Sequence, residues 1–242
     1  EKASDLTESE RTDLRKMAGA LNWIVRATRP DLSFEMIELS TKFKSGIVDD
    51  LIRVRKALLN TKMNKAEILI PAIDNPRDWQ ILCYTDAALG NLNDGVDSTG
   101  GHIVFLTDSE QNKCAVLDWQ ANKIKRVVRS TLAAEALSLC DGLETALHIR
   151  RVLEDTLNLP SKTIKIHGIV DNRSTVDAVK STTVVDDKRL RREIGAIKQL
   201  LERGDINSIS WVPGSEQLAD VLTKRGVNSC KLLNVIQTGK LM

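Results

Sequence analysis

Aromatic side chains are scarce in this sequence: four Trp, three Phe and one Tyr make up 3% of its 242 residues. So thin a supply argues against a protein that binds single strands by stacking bases on an aromatic platform. An excess of one charge is also missing. Thirty-five Lys and Arg stand against 33 Asp and Glu, a formal net charge of +2, so any basic surface must be local. The four cysteines, Cys83, Cys114, Cys140 and Cys230, include no C-x-x-C pair, which excludes a zinc knuckle or a dithiol redox motif. Cys83 and Cys140 sit in apolar runs and read as small core residues; reduced thiols of an intracellular protein are expected. No apolar run approaches the length of a membrane-spanning helix, no signal peptide is present, and no membrane partner is expected. No internal repeat or low-complexity tract is visible. The chain begins at Glu1 and not at Met, so it is expected to be a piece of something longer.

What is present is ordinary in bulk: 42% apolar and 28% charged residues, as in a globular protein with one large domain or one domain and an appendage. The N-terminal third reads as helical. Thr7-Glu8-Ser9-Glu10 is a capping-box pattern, and Leu14, Met17, Ala18, Leu21 and Val25 recur at helical spacing. Arg29-Pro30-Asp31 stops that helix, and Asp31 is expected to cap the next, which carries Phe34, Ile37, Leu39 and Phe43. A third helix is expected from about Asp49 to Lys62 with Leu51, Val54, Leu58 and Leu59 inward, then a short strand from Glu67 to Ile73. The turn cluster Asp74-Asn75-Pro76-Arg77-Asp78 marks a domain boundary. Beyond it three strands are expected (Trp79–Thr85, Gly101–Leu106, Cys114–Trp119), with a Gly/Asn/Asp-rich turn between the first two. A long helix from Ser130 to about Asn158 follows, with Leu132, Leu139, Leu143, Leu147 and Leu153 on its buried stripe. Next come a strand (Lys165–Val170), a short helix (Ser174–Lys180), a charged helix (Asp186–Glu202), a strand (Ser208–Val212) and a helix around Asp220. A further amphipathic helix is expected between Val227 and Leu241. This order predicts a mixed α/β sheet with helices on its faces.

Four acids in the second part stand out: Asp86, Glu135, Asp171 and Asp220. Asp86 ends the apolar run Ile-Leu-Cys-Tyr-Thr-Asp. Glu135 lies in the first turns of the long helix. Asp171 ends a strand-like run and precedes Asn172, and Asp220 lies in the late helix. Each has a bland explanation: Glu135 favours a helix N-terminus, and Asp171 can cap the helix near Ser174. Taken together, two strand ends and two helices can aim carboxylates at one crevice at the carboxyl ends of the strands. Only a metal readily holds four carboxylates together at neutral pH. Magnesium suits such hard oxygen ligands, and two ions can clamp the attacking and leaving oxygens of a phosphodiester.

The motifs around these acids carry a resemblance. Tyr84-Thr-Asp86-Ala, Ser98-Thr99-Gly100-Gly101, Trp119, Arg129-Ser-Thr-Leu-Ala-Ala-Glu135-Ala, Val170-Asp171-Asn172 and Ala219-Asp220-Val-Leu-Thr-Lys224 occur in that order. Upstream stand Gly19-Ala-Leu-Asn-Trp-Ile and Thr28-Arg29-Pro30-Asp31. The chain resembles the ribonuclease H region, with the preceding polymerase connection, of copia-type LTR retrotransposon Pol polyproteins, over about residues 7 to 225. The resemblance implies a ribonuclease H-like fold: a five-stranded mixed sheet flanked by helices, with an N-terminal helical segment. It implies a helical connection over 1–75, a ribonuclease H domain over 76–226 and a helical tail over 227–242. Asp86, Glu135, Asp171 and Asp220 match the family's four catalytic metal-binding positions. The implied activity is cleavage of the RNA strand of an RNA–DNA hybrid, using two Mg2+ ions, with Mn2+ able to substitute. The implied partners are that hybrid and the reverse transcriptase polymerase domain of the same polyprotein. The implied location is intracellular, in cytoplasmic virus-like particles and the nucleus. The acid order separates this pattern from integrases and transposases, in which a glutamate comes last. The chain departs from the family at two points. Lys188-Arg189 stands near where a Lys-His pair is usual, with no histidine between Asp171 and Asp220, and Ala134-Glu135-Ala-Leu replaces Glu-Ala-Glu-Tyr. The first bears on turnover and product release, not on metal binding. A degenerate or domesticated module that binds nucleic acid or protein is the alternative.

Further candidates surround the acids. Lys123, Lys125, Arg126 and Arg129 form a short basic run, either a solvated loop or phosphate contacts that position a duplex. Ser130 and Thr131 either cap the long helix or hydrogen-bond a strand in the minor groove, where a hybrid displays 2′-hydroxyls. Asn172 has the same two readings. Val184-Val185-Asp186-Asp187 mimics a reverse transcriptase polymerase signature but reads as the opening of a charged helix. His102, His148 and His167 are scattered and read as ordinary residues, and Trp119 and Trp211 as core or strand-face residues.

Overall fold

The computed structural model describes residues 3–93, 95–182 and 186–241. Helix α1 (Glu8–Ala27) opens on the expected capping box: the Thr7 hydroxyl accepts the Glu10 amide at 3.3 Å, and the Glu10 carboxylate accepts the Thr7 amide at 2.9 Å. Leu14, Ala18, Leu21 and Val25 are buried along one face. A 3-10 turn at Pro30–Leu32 leads into α2 (Ser33–Thr41), then comes α3 (Val48–Met63). Asp31 does not cap α2. Its carboxylate takes both the Nε and Nη2 of Arg29, at 2.8 and 2.7 Å, an ion pair that outcompetes a neutral amide. On α3 the inward positions are Leu51, Val54 and Ala57, whereas Leu59 is 60% exposed. Leu59 lies five residues past Val54, which turns it off the buried stripe. Residues 67–73 are extended but form no strand; one amide there, that of Leu69, is satisfied by the Ile236 carbonyl.

The sheet contains β1 (Gln80–Leu92), β2 (Asp97–Thr107), β3 (Cys114–Lys123), β4 (Lys165–Val170) and β5 (Ser208–Trp211). Its order is β3-β2-β1-β4-β5. The first three strands pair antiparallel, and β4 and β5 add parallel to β1. This is the five-stranded mixed sheet of a ribonuclease H-like fold. Helix α4 (Thr131–Thr156) crosses one face, with α5 (Arg173–Lys180) and α6 (Lys188–Glu202) beside it. The one-turn α7 (Asp220–Thr223) and α8 (Cys230–Thr238) cover the other. Asp187 caps α6 by accepting the amides of Arg189 and Leu190 at 2.7 and 3.0 Å; Val184 and Val185 lie outside the described residues. Two apolar layers, one under α4 and one under α7 and α8, sandwich the sheet, and the N-terminal helices hold a third cluster of their own.

One boundary matters for function. Asp86 does not end a strand: β1 runs six residues past it, paired with β2 as far as Leu92. What ends near Asp86 is the pairing with β4, which stops at Tyr84–Ile169. A crevice therefore opens between β1 and β4 just past that point, at the carboxyl end of β4.

Candidate active site

The strands bring two acids to that crevice. Asp86 is fully buried on β1, and Asp171 directly follows β4, its neighbour in the sheet. Asp220, the first residue of α7, comes from the other side. Carboxylate oxygens of the three lie within 4.8 Å of one another.

Three contacts set α7 in place. The Gln217 amide donates to the Thr85 carbonyl at 3.0 Å and accepts the Ala219 amide at 3.1 Å, which pins the loop before α7 to β1. The Thr223 hydroxyl hydrogen-bonds Asp86 Oδ2. Gly101, cross-strand partner of Asp86, leaves the necessary room: a Cβ there would meet Leu222 and Thr223 carbon atoms at 3.0 Å.

Helix α4 brings Glu135. Its N-cap Ser130 accepts the Ala133 amide at 3.2 Å. Glu135, Ser138 and Gly142 follow at helical spacing on the face toward β1. The Ser138 hydroxyl lies 2.8 Å from the Asp86 carbonyl and 3.0 Å from that of Gly101, and accepts the Gly101 amide at 3.1 Å. Gly142 lets the helix come close, since a Cβ there would stand 2.6 Å from Thr85 Cγ2 and 2.9 Å from Cys83 Sγ. Glu135 is thereby buried one turn before Ser138. It stands outside the tight group of three but within range of the charges of Asp86 and Asp171. Its Oε2 is buried with no hydrogen-bond partner among the described residues.

The electrostatics are strained in one direction. Burial, then Asp86 and Asp171, push the Glu135 carboxyl up to about 9, against the pull of Lys224 and the Ala87 amide. Burial, opposed by the Lys224 hydrogen bond and reinforced by Asp86, pushes Asp220 up to about 6. Asp171 is raised too, by burial and then by Asp86. One cation answers them. Lys224 Nζ lies 2.6 Å from Asp220 Oδ1 and 3.1 Å from Asp86 Oδ1. Burial disfavours its charge, but Asp86 and Asp220 outweigh that and hold its pKa above the ordinary lysine range. Hard oxygen donors, mutual repulsion and an unpartnered buried oxygen fit a divalent cation; the cluster of Asp86, Asp171 and Asp220 could bind one.

The other expected residues are placed differently. Lys123 is paired with Asp97 at 2.5 Å and Arg126 with Glu193 at 2.7 Å, beside a groove between β2, β3 and α4. Arg129 and Thr131 are exposed around the start of α4, where Ser130 is the cap. Asn172, not Asp171, caps α5, accepting the Thr175 amide at 3.2 Å, so the bland explanation of Asp171 falls away. His102 faces Asp118 at 3.3 Å and His167 faces Ser208 at 2.8 Å; neither joins the acids. Among the described residues all four cysteines are free thiols. Ser138, Gln217, Thr223 and Lys224 were not among the expected site residues; Thr223 and Lys224 stand in the motif around Asp220, and Lys224 also has an i+4 spacing from it.

The chain thus has a ribonuclease H-like fold with a candidate acidic metal centre. No family profile matches the chain. Among solved structures, it is similar to RNase H1 from the halophilic archaeon Halobacterium salinarum NRC-1, at 19% identity over 60% of this chain and 94% of that one, TM-score 0.41. It is similar to LC11-RNase H1 in complex with RNA/DNA hybrid, at 18% identity over 60% and 94%, TM-score 0.44. It is also similar to a foamy viral protease-reverse transcriptase in complex with RNA/DNA hybrid, at 10% identity over 85% of this chain and 27% of that one, TM-score 0.39. The fold assignment itself rests on the strand order and pairing described above.

Proposed function

We propose that the protein is a metal-dependent endoribonuclease that cleaves the RNA strand of RNA–DNA hybrids. The observation that carries this is the convergence of Asp86, Asp171 and Asp220 within 4.8 Å in the crevice between β1 and β4. With Glu135 beside them, these acids would hold two magnesium ions. The chemistry such ions would supply there is activation of a water and stabilisation of the departing 3′-oxygen. The chain's own groups do the rest. Thr223 and Ser138 fix the Asp86 carboxylate and its backbone. The turn pinned by Gln217 presents Asp220. Burial of Asp86 and Glu135 keeps bulk water from the carboxylates, which strengthens their hold on a cation. Glu135 Oε2, without a partner, is the atom that gains most from a ligand.

The family motifs support placing the protein in reverse transcription by a copia-type retrotransposon. There the N-terminal segment would face the polymerase domain, in virus-like particles and the nucleus. The 1–75, 76–226 and 227–242 division belongs to the same proposal. Purified protein is expected to cleave a labelled hybrid in magnesium and to leave duplex DNA intact. Asp86→Asn should lower that rate by about a hundredfold or more, beyond the 10–100-fold typical of groups that only support metal ligands. No hybrid cleavage by folded protein, or an unimpaired Asp86→Asn, would sink the proposal. One observation favours the alternative, a catalytically silent module: Lys224 already pairs with both Asp86 and Asp220. A module of that kind would leave magnesium unbound in calorimetry.

A further inference from the structure

On the β5 side of the acids lies a basic group that the catalytic reading does not use. Trp211 ends β5, and its indole N–H donates to the Asp171 carbonyl at 2.8 Å. Trp211 is 38% exposed. Arg173, two residues past Asp171 and first in α5, sets its guanidinium carbon 4.0 Å from the centroid of that ring. Arg173 is exposed and has no acidic partner among the described residues. Contrast Arg126 and Lys123, already spent on Glu193 and Asp97.

A free arginine on a surface normally samples many rotamers. Here the ring face, 4.0 Å away, restricts where the guanidinium lies. The ring is fixed in turn by its bond to the backbone of a metal-site residue. The orientation therefore exists before any anion arrives, which lowers the entropy lost on binding. A planar fork of donors matches a phosphate. The acid cluster alone repels a polyanion, and an oriented cation at its rim offsets that repulsion. The geometry points to Arg173, held by Trp211, as a phosphate contact that positions a nucleic-acid strand at the crevice. This rests on the nuclease reading of the same site.

The test is fluorescence-anisotropy binding of a labelled RNA–DNA hybrid in EDTA, where no cleavage occurs, across a salt series. Loss of one phosphate contact should lower the log–log salt slope by about one and weaken binding several-fold, so Arg173→Gln is expected to do both. Arg173→Lys should keep most of the slope while losing affinity, because the charge stays and the planar stack goes. Trp211→Phe, which keeps a ring but removes the N–H to Asp171, should keep the slope. Thermal melts on each variant check that the fold is intact. An unchanged slope in folded Arg173→Gln overturns this inference and leaves the nuclease reading standing. A wild-type protein that binds neither hybrid nor duplex DNA at low salt overturns both.

Discussion

Glu135 is a side chain whose protonation the metal-free protein strongly alters. Its carboxyl rises from an ordinary 4.5 to about 9, chiefly by burial. A folded state with the higher pKa binds the proton more tightly, so this contribution to stability is complete below pH of about 4.5 and lost as pH rises toward 9. In EDTA, the melting temperature of the wild type should therefore fall across that window, and Glu135→Gln should flatten the fall. Equal slopes for the two proteins would show that Glu135 does not titrate this way. Lys224 works in the opposite sense, a cation held by two carboxylates. Lys224→Met should destabilise the metal-free protein by roughly 3 kcal/mol, as removal of one partner from a buried pair does. Because the Lys224 side chain is 36% exposed, solvent screening brings the expected loss toward the low end. Chemical denaturation in EDTA checks this, and magnesium should restore much of the loss.

Among the elements, α4 does most to build the site, and it does so through small residues. Ser138 and Gly142 bring it down onto β1 and β2, so Glu135 reaches the crevice. Gly142→Ala should cost about 1–3 kcal/mol by overpacking against Thr85 and Cys83. Gly195→Ala, on α6 with nothing within 4 Å of the new Cβ, should instead stabilise by about 0.5–1 kcal/mol. Urea midpoints of the two variants should move in opposite directions. The helix itself was legible from its Ser130 cap and leucine spacing, and β4 from its apolar run, because both signals are local. The 67–73 segment had the composition of a strand but found no partner strand, and pairing cannot be read from one segment alone. The extra length of β1 was hidden in Ala87–Leu92, whose residues look like a turn until β2 pairs with them.

Across the whole molecule, the acid cluster is held from three sides: by the sheet, by α4, and by α7 with its flanking residues. The N-terminal helices contact the sheet edge at β3 and the segment after α7. The Trp119 indole donates to the Val25 carbonyl at 2.9 Å, and Glu38 of α2 accepts Arg225, the residue after Lys224. Divalent ion binding should stabilise the entire fold, since an unfolded chain cannot gather acids 134 positions apart (Asp86 and Asp220). At a hundred times its dissociation constant, magnesium should add about 2.7 kcal/mol to unfolding. Calorimetric melts should show that gain for the wild type and not for Asp86→Asn; equal gains would place the ion elsewhere.

By itself, the sequence determined most of the alternation of strands and helices, the placing of Glu135 and Asp220 on helices and of Asp171 at a strand end, and the motifs around the four acids. Those are local properties, written in spacing and side-chain type. The tertiary structure decided which strands neighbour which, and so that Asp86 and Asp171 face one crevice. It also decided that Asn172 and not Asp171 caps α5, that Lys224 already stands among the carboxylates, and that Arg173 lies over the Trp211 ring. Apart from the Asn172 cap, which spans three residues, these depend on groups far apart in the chain, whose distance is set only when the sheet assembles and α4 settles on β1 through Gly142.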